Sequence, residues 1–164
     1  MVFKDDLREQ ANKLLTVCRG KELKLATTES CTGGLVVGLL TDLAGSSDVI
    51  DRGFITYTNE AKSQMLDVPV DFFGSVGAVS EEVARAMAEG AVAHSHAQVA
   101  VSTTGIAGPG GGNEHKPVGL VHIAVARERY ETIHEQHIFN GSRQRVREQA
   151  IAASISLLIR MVRE

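Results

Sequence analysis

A short strand-like run, Leu23–Thr28, apolar or hydroxyl-bearing except for Lys24, gives way to an apolar helical pattern through Glu29-Ser30-Cys31-Thr32-Gly33-Gly34. This hand-over constrains the fold more than any other feature. A strand that leads through a tight turn into a helix favours a parallel neighbour, with helices covering the sheet. The turn also brings hydroxyl side chains to a helix start, where free backbone N–H groups and the helix dipole favour an anion or a developing oxyanion. A second glycine loop, Thr103 to Gly112, follows another buried-looking strand, and five of its residues from Gly105 to Gly112 are glycine. Ordering so many glycines costs chain entropy. The loop is therefore either a disordered connector or a place where backbone must approach a ligand closely. Two such loops in one short chain point to a shared ligand site at one sheet edge.

The remaining pattern extends this reading. Residues 5–19 form an amphipathic helix with Leu7, Ala11, Leu14, Leu15 and Cys18 on one face and Gly20 at its end. A buried helix is expected from Thr32 to Leu43, a turn at Gly45–Asp48 and a strand within Val49–Tyr57, with a helical start to that segment as the alternative for its first few residues. Asn59 is placed as the cap of a short helix carrying Lys62, and Pro69 to Gly74 as a loop. Ser80 caps a helix reaching about His96, with Glu81 and Glu82 in its first turn. Strands follow at Val99–Ser102, Leu120–Val125 and Thr132–Phe139, and Ser142 caps a long final helix. The tight 126–131 connection demands an antiparallel pair. The fold class is α/β, a three-layer α/β/α sandwich with a mixed, mostly parallel five-stranded sheet, in one domain over residues 1–164.

Composition narrows the function. A net charge of -3 argues against a general nucleic-acid binder, and no stable nucleic-acid binding is expected. No run of about 18 apolar residues is present, so a membrane partner is not expected. The first residues lack a signal-peptide pattern, and Cys18 and Cys31 alone make no disulfide framework, so the cytoplasm is the expected location. His94, His96, His122, His134 and His137 show no metal-ligand spacing.

Parallel strands end on one sheet edge, where ligands gather. Ser30, Tyr57 and Thr104 follow or end three such strands, and Lys62 lies just over one helical turn beyond Tyr57. Serine beside lysine is a variant of activated-nucleophile chemistry, provided that the amine is neutral. Tyr57 is placed to relay a proton or to hold the lysine. Cys31 is read as a buried packing residue. Arg143, Arg145 and Arg147 crowd the first turns of the last helix, where cations oppose the dipole unless an anion lies between them.

Thr28-Glu29-Ser30-Cys31-Thr32-Gly33-Gly34, Gly45-Ser46-Ser47, Arg52 through Lys62, Gly77-Ala78-Val79-Ser80, Thr104 through Pro109 and Lys116-Pro117-Val118-Gly119 together resemble the C-terminal domain of CinA, the competence/damage-inducible protein. The match covers nearly the whole chain. It implies the stand-alone form of the family, without the N-terminal nucleotide-processing domain of full-length CinA. It further implies hydrolysis of nicotinamide mononucleotide to nicotinic acid mononucleotide and ammonia, without metal or cofactor, in pyridine-nucleotide salvage. The candidate catalytic set is Ser30, Ser47, Tyr57 and Lys62. Ser30 is favoured by the shared edge, while the resemblance draws attention to Ser47, which an extended 49–57 segment would hold far from Lys62 unless a second subunit supplies it. Candidate substrate-binding residues are Thr32, Gly33, Gly34, Thr104, Gly105, Gly108, Arg143 and Arg147, with the phosphate at the Thr32–Gly34 helix start or at the Arg143/Arg147 end. A homodimer or larger homo-oligomer is expected. The alternative function is a non-catalytic nucleotide-sensing module linked to competence or DNA damage.

Overall fold

The computed structural model describes residues 3–164. Its elements are α1 (Asp5–Gly20), β1 (Leu25–Glu29), α2 (Leu35–Thr41), β2 (Ile50–Ile55), α3 (Asn59–Leu66), α4 (Val70–Ser75), α5 (Glu81–Ala93), β3 (Val99–Gly105), β4 (Leu120–Arg127), β5 (Ile133–Ile138) and α6 (Arg143–Arg163). One five-stranded sheet has the order β2-β1-β3-β4-β5. β1 pairs in parallel with β2 and β3, whereas β4 is antiparallel to both β3 and β5. Four strands thus run one way and β4 alone runs back.

The period of two along each strand sorts the core into two layers. Leu25, Val99, Val101, Val121, Ile123 and Val125 face a cluster built with α1, α2 and α6. Ala26, Phe54 and Ala100 face the other way, against α3 and α5. Under α5 the sheet presents Ala124 and Ala126 to Ala84 and Ala88, so small residues bring that helix close to the strands. Gly90 makes the next approach possible. A Cβ there would stand 2.1 Å from the Leu66 carbonyl oxygen, so only glycine lets the end of α3 settle on α5.

Several local expectations are corrected. The second helix begins at Leu35 rather than Thr32 because Gly33 and Gly34 adopt positive φ of 58° and 93°, which extends the turn. Thr58, not Asn59, caps α3, its hydroxyl accepting from the Ala61 N–H at 3.0 Å. The expected loop between Pro69 and Gly74 contains α4, with Pro69 fixing φ just before its first turn. A 3-10 turn at Ser46–Asp48 precedes β2, which begins at Ile50. Helix α5 ends at Ala93, where His94 leaves helical geometry. Ser80 and Ser142 cap α5 and α6 as their sequences predict.

The second glycine loop is a built structure. Ile106 and Gly119 close its base through the Ile106 N–H to Leu120 and the Gly119 N–H to Ile106. Arg143 donates to the Gly108 carbonyl, and the Lys116 amine reaches the carbonyls of Val76 and Val79.

Candidate active site

The strand alternation decides what stands at the C-terminal end of β1. Leu25, Thr27 and Glu29 face α1, α2 and α6, so Ala26, Thr28 and Ser30 face α3 and α5. Ser30 is held at the edge by its own N–H, which donates to the Thr103 carbonyl at 2.9 Å. On the covering helix α3, Lys62 and Leu66 are one turn apart and both are buried. Leu66 anchors in the α5 cluster, and Lys62 is thereby aimed back at the sheet.

The Lys62 amine lies 3.2 Å from Ser30 Oγ and donates to the Thr56 carbonyl at 2.8 Å. Its residue is 1% exposed. Burial disfavours the charged form and lowers its pKa from 10.5 to about 8. A neutral amine then occurs at accessible pH, and Ser30 can donate its hydroxyl proton to the nitrogen lone pair. Cys31 next door is pushed up to about 11 by burial, so its thiol stays protonated near neutrality and does not compete as a nucleophile.

Glu29 overturns the expectation of an anion at the Thr32–Gly34 helix start. Its buried carboxylate accepts from the N–H groups of Gly34, Val36 and Val37 at 3.0, 3.0 and 2.9 Å and from the Thr32 hydroxyl at 2.7 Å. The chain fills its own anion seat. Thr32 is fully buried and its hydroxyl also meets Thr103 Oγ1 at 2.7 Å, so it builds the turn. Gly33 remains exposed, with Arg147 passing over it.

The two arginines lie at the other candidate anion position. Arg143 donates to the Gly108 carbonyl at 2.9 Å and to the Tyr57 hydroxyl at 3.2 Å, tying the glycine loop, the end of β2 and α6 together. Arg147 donates to the Thr32 carbonyl at 2.9 Å, while its Nε is buried with no hydrogen-bond partner among the described residues. Both arginines line a cavity of about 940 Å³ between the first turns of α1 and α6, with Phe3, Leu7, Leu35 and Ile151 as its apolar wall. Neither Ser30 nor Lys62 lines that cavity.

Other candidates separate by place. Tyr57 is 62% exposed and bonds Arg143; the group that holds the Lys62 amine is the Thr56 carbonyl. Thr104 is buried, lies beside Ser30 when the β1–β3 register is continued by one residue, and donates to the Ala78 carbonyl at 2.8 Å. Gly105 serves the ladder, since a Cβ there would meet the Leu120 carbonyl at 2.7 Å. Ser47 is exposed and precedes β2, whose C-terminal end leads to Lys62. Six strand residues at about 3.3 Å each put about 20 Å between those two ends of the sheet. This chain does not bring Ser47 to Lys62. Among the described residues, no group of three or more His, Cys, Asp or Glu could hold a metal ion.

Glu29 as a cap and the Thr56 carbonyl escaped the sequence reading. A carboxylate five to eight residues ahead of the N–H groups it caps lies outside the short-range capping pattern. A backbone acceptor leaves no residue-type signal at all.

A serine hydroxyl 3.2 Å from a buried lysine amine at the edge of a three-layer α/β sheet has the geometry of an activated-nucleophile site. The CinA C-terminal domain family matches residues 6–162, and this chain belongs to that family. It is 47% identical over 152 residues to the nicotinamide-nucleotide amidohydrolase PncC of Escherichia coli (strain K12), covering 93% of this chain and 90% of that protein. A longer relative from Caldicellulosiruptor bescii is 48% identical over 84% of this chain, which spans only about a third of that protein, 33% of its length. The crystal structure of the competence/damage inducible protein CihA from Agrobacterium tumefaciens superposes with a TM-score of 0.97 at 42% identity, covering 100% of this chain and 99% of that one.

Proposed function

We propose that this chain is an amidohydrolase that converts nicotinamide mononucleotide and water into nicotinic acid mononucleotide and ammonia. The observation that carries the reading is the buried Lys62 amine 3.2 Å from Ser30 Oγ. Its likeness to the E. coli nicotinamide-nucleotide amidohydrolase supports the choice of substrate.

Ser30 Oγ attacks the carboxamide carbon as its proton passes to the neutral Lys62 amine. The Lys62 ammonium returns that proton to the amide nitrogen, the C–N bond breaks and ammonia leaves an acyl group on Ser30. Water then attacks the acyl carbon and gives a proton to Lys62, which restores the serine hydroxyl as the carboxylate product departs. Arg143 and Arg147 take the phosphate, the bidentate partner that guanidinium geometry suits.

Ammonia release from nicotinamide mononucleotide tests this directly. Ser30→Ala and Lys62→Ala each lose at least about 10³-fold in kcat, the scale at which a nucleophile and its base act as a unit. Ser47→Ala keeps wild-type activity. Full turnover in Lys62→Ala, or saturable binding with no product from the wild type, rejects the catalytic reading; the latter result favours the sensing module.

A further inference from the structure

The histidines carry no metal pattern, yet two of them form a chain that the proposed reaction does not use. His122 Nδ1 and His134 Nε2 are 2.9 Å apart. The ring centroids are 5.1 Å apart with planes inclined by 19°. That separation is close to the N···N contact plus the two ring radii, so the imidazoles meet end to end, nearly coplanar, in a hydrogen bond along their lone-pair axes. His134 Nδ1 in turn lies 3.4 Å from Glu81 Oε2 at the start of α5.

At 3.4 Å this is a charge contact and not a hydrogen bond, but the carboxylate charge favours the His134 tautomer with its proton on the near nitrogen, Nδ1, which presents Nε2 as an acceptor. His122 must then donate from Nδ1, which leaves its Nε2 bare. With Nδ1 engaged toward β5, Nε2 lies at the outer end of the ring, and the residue directly opposite His122 in the β3–β4 register is Thr104. Continuing the β1–β3 register by one residue places Ser30 beside Thr104 on the same face. Ser30, Thr104 and His122 therefore form a row across three strands, on the side covered by α3 and α5. Burial, with His134 and Lys116 adding to it, lowers the His122 pKa to about 4, while Glu81 and Glu82 pull the other way. His134 is lowered too, mainly by burial, with Arg85 adding to it and Glu81, Glu135 and Glu82 opposing. His122 thus remains a neutral acceptor near neutral pH.

We propose that His122 is a ligand-contacting, specificity-determining residue of the Ser30 cleft, whose bare Nε2 accepts a hydrogen bond from a ribose hydroxyl of the nucleotide. Two strand spacings separate it from Ser30 by about 10 Å. That span suits a ligand whose pyridine carboxamide sits at Ser30 and whose sugar extends across the sheet. The inference rests on the proposed reading of the substrate, and Glu81 and His134 act through His122 as positioning residues.

The experiment compares wild type, His122→Phe and Glu81→Gln. His122→Phe raises KM for nicotinamide mononucleotide by about 10-fold, the value of one good hydrogen bond, with kcat within about 3-fold. With a substrate whose ribose hydroxyls are replaced by hydrogen, wild type and His122→Phe have equal KM. Glu81 is on the surface, so Glu81→Gln folds, and it raises KM in the same direction by a smaller factor. 15N NMR of the free protein shows His122 protonated at Nδ1 and bare at Nε2, and Glu81→Gln mixes the tautomers. An unchanged KM in His122→Phe, or an Nε2–H on His122, overturns the proposal. Should the wild type release no ammonia, calorimetric binding of nicotinamide mononucleotide separates the two readings: about 10-fold weaker binding by His122→Phe upholds the histidine contact while hydrolysis is rejected, and equal binding rejects both.

Discussion

Lys62 is the residue on which chemistry and stability pull apart. Its amine must lose a proton before it can accept one from Ser30, so kcat/KM climbs about tenfold per pH unit on the acid side and levels off above about 8. A pH–rate profile with no inflection near there would remove the lysine from the role of base. The same burial makes stability depend on pH. The folded pKa lies below the unfolded 10.5, so between about 8 and 10.5 the unfolded chain binds the extra proton and stability rises with pH. Below about 8 the full penalty applies, about 3 kcal/mol at about 1.4 kcal/mol per pKa unit. Lys62→Met removes that penalty but leaves the buried Thr56 carbonyl without its donor. The expected outcome is an inactive protein more stable than wild type by about 1–2 kcal/mol at pH 7, measured by urea unfolding. A less stable Lys62→Met would show that the amine contributes more by bonding than it costs by burial.

At the scale of elements, two contacts set where the reacting groups stand. Gly90 lets α3 lie against α5, and Gly90→Ala forces a Cβ into the Leu66 carbonyl, one turn beyond Lys62. The substitution should cost about 1–3 kcal/mol and lower kcat by shifting the amine away from Ser30. Glu29 holds the start of α2, and Glu29→Gln turns a carboxamide N–H₂ toward backbone donors, with an expected loss of roughly 2–3 kcal/mol in urea unfolding. The sequence was legible where periodicity and caps are local. The amphipathic stripe of α1, the Ser80 and Ser142 caps and the succession of five strands along the chain follow from residue spacing. The Ser30–Lys62 pairing was also legible, because parallel strands force their C-terminal ends together. The self-filled anion seat was not, since the carboxylate of Glu29 reaches amides that lie beyond a glycine turn. Neither was the ordering of the glycine loop, which depends on Arg143 and Lys116 from distant parts of the chain.

For the whole molecule, the proposed phosphate end and the proposed reacting end are supplied by opposite layers. Ser30 and Lys62 belong to the α3/α5 side, whereas Arg143 and Arg147 come from α6 and reach the edge over the glycine turns. A ligand must therefore bridge the edge of the sheet to engage both. Replacing Arg143 and Arg147 together with alanine should raise KM for nicotinamide mononucleotide by about 100-fold, about 2.7 kcal/mol. The same double variant should leave hydrolysis of nicotinamide riboside, which lacks the phosphate, unchanged. Equal losses on both substrates would instead mean that the arginines hold the loops and not the ligand.

The split between layers begins in five residues of β1, where neighbouring side chains leave opposite sides of the sheet. Glu29 goes to one compartment and Ser30 to the other. Deleting or inserting a single amino acid within that strand would exchange their addresses, sending an acid into the cleft and an alcohol beneath α2. Insertions and deletions in this gene segment are therefore intolerable in units of one and conceivable only in units of two.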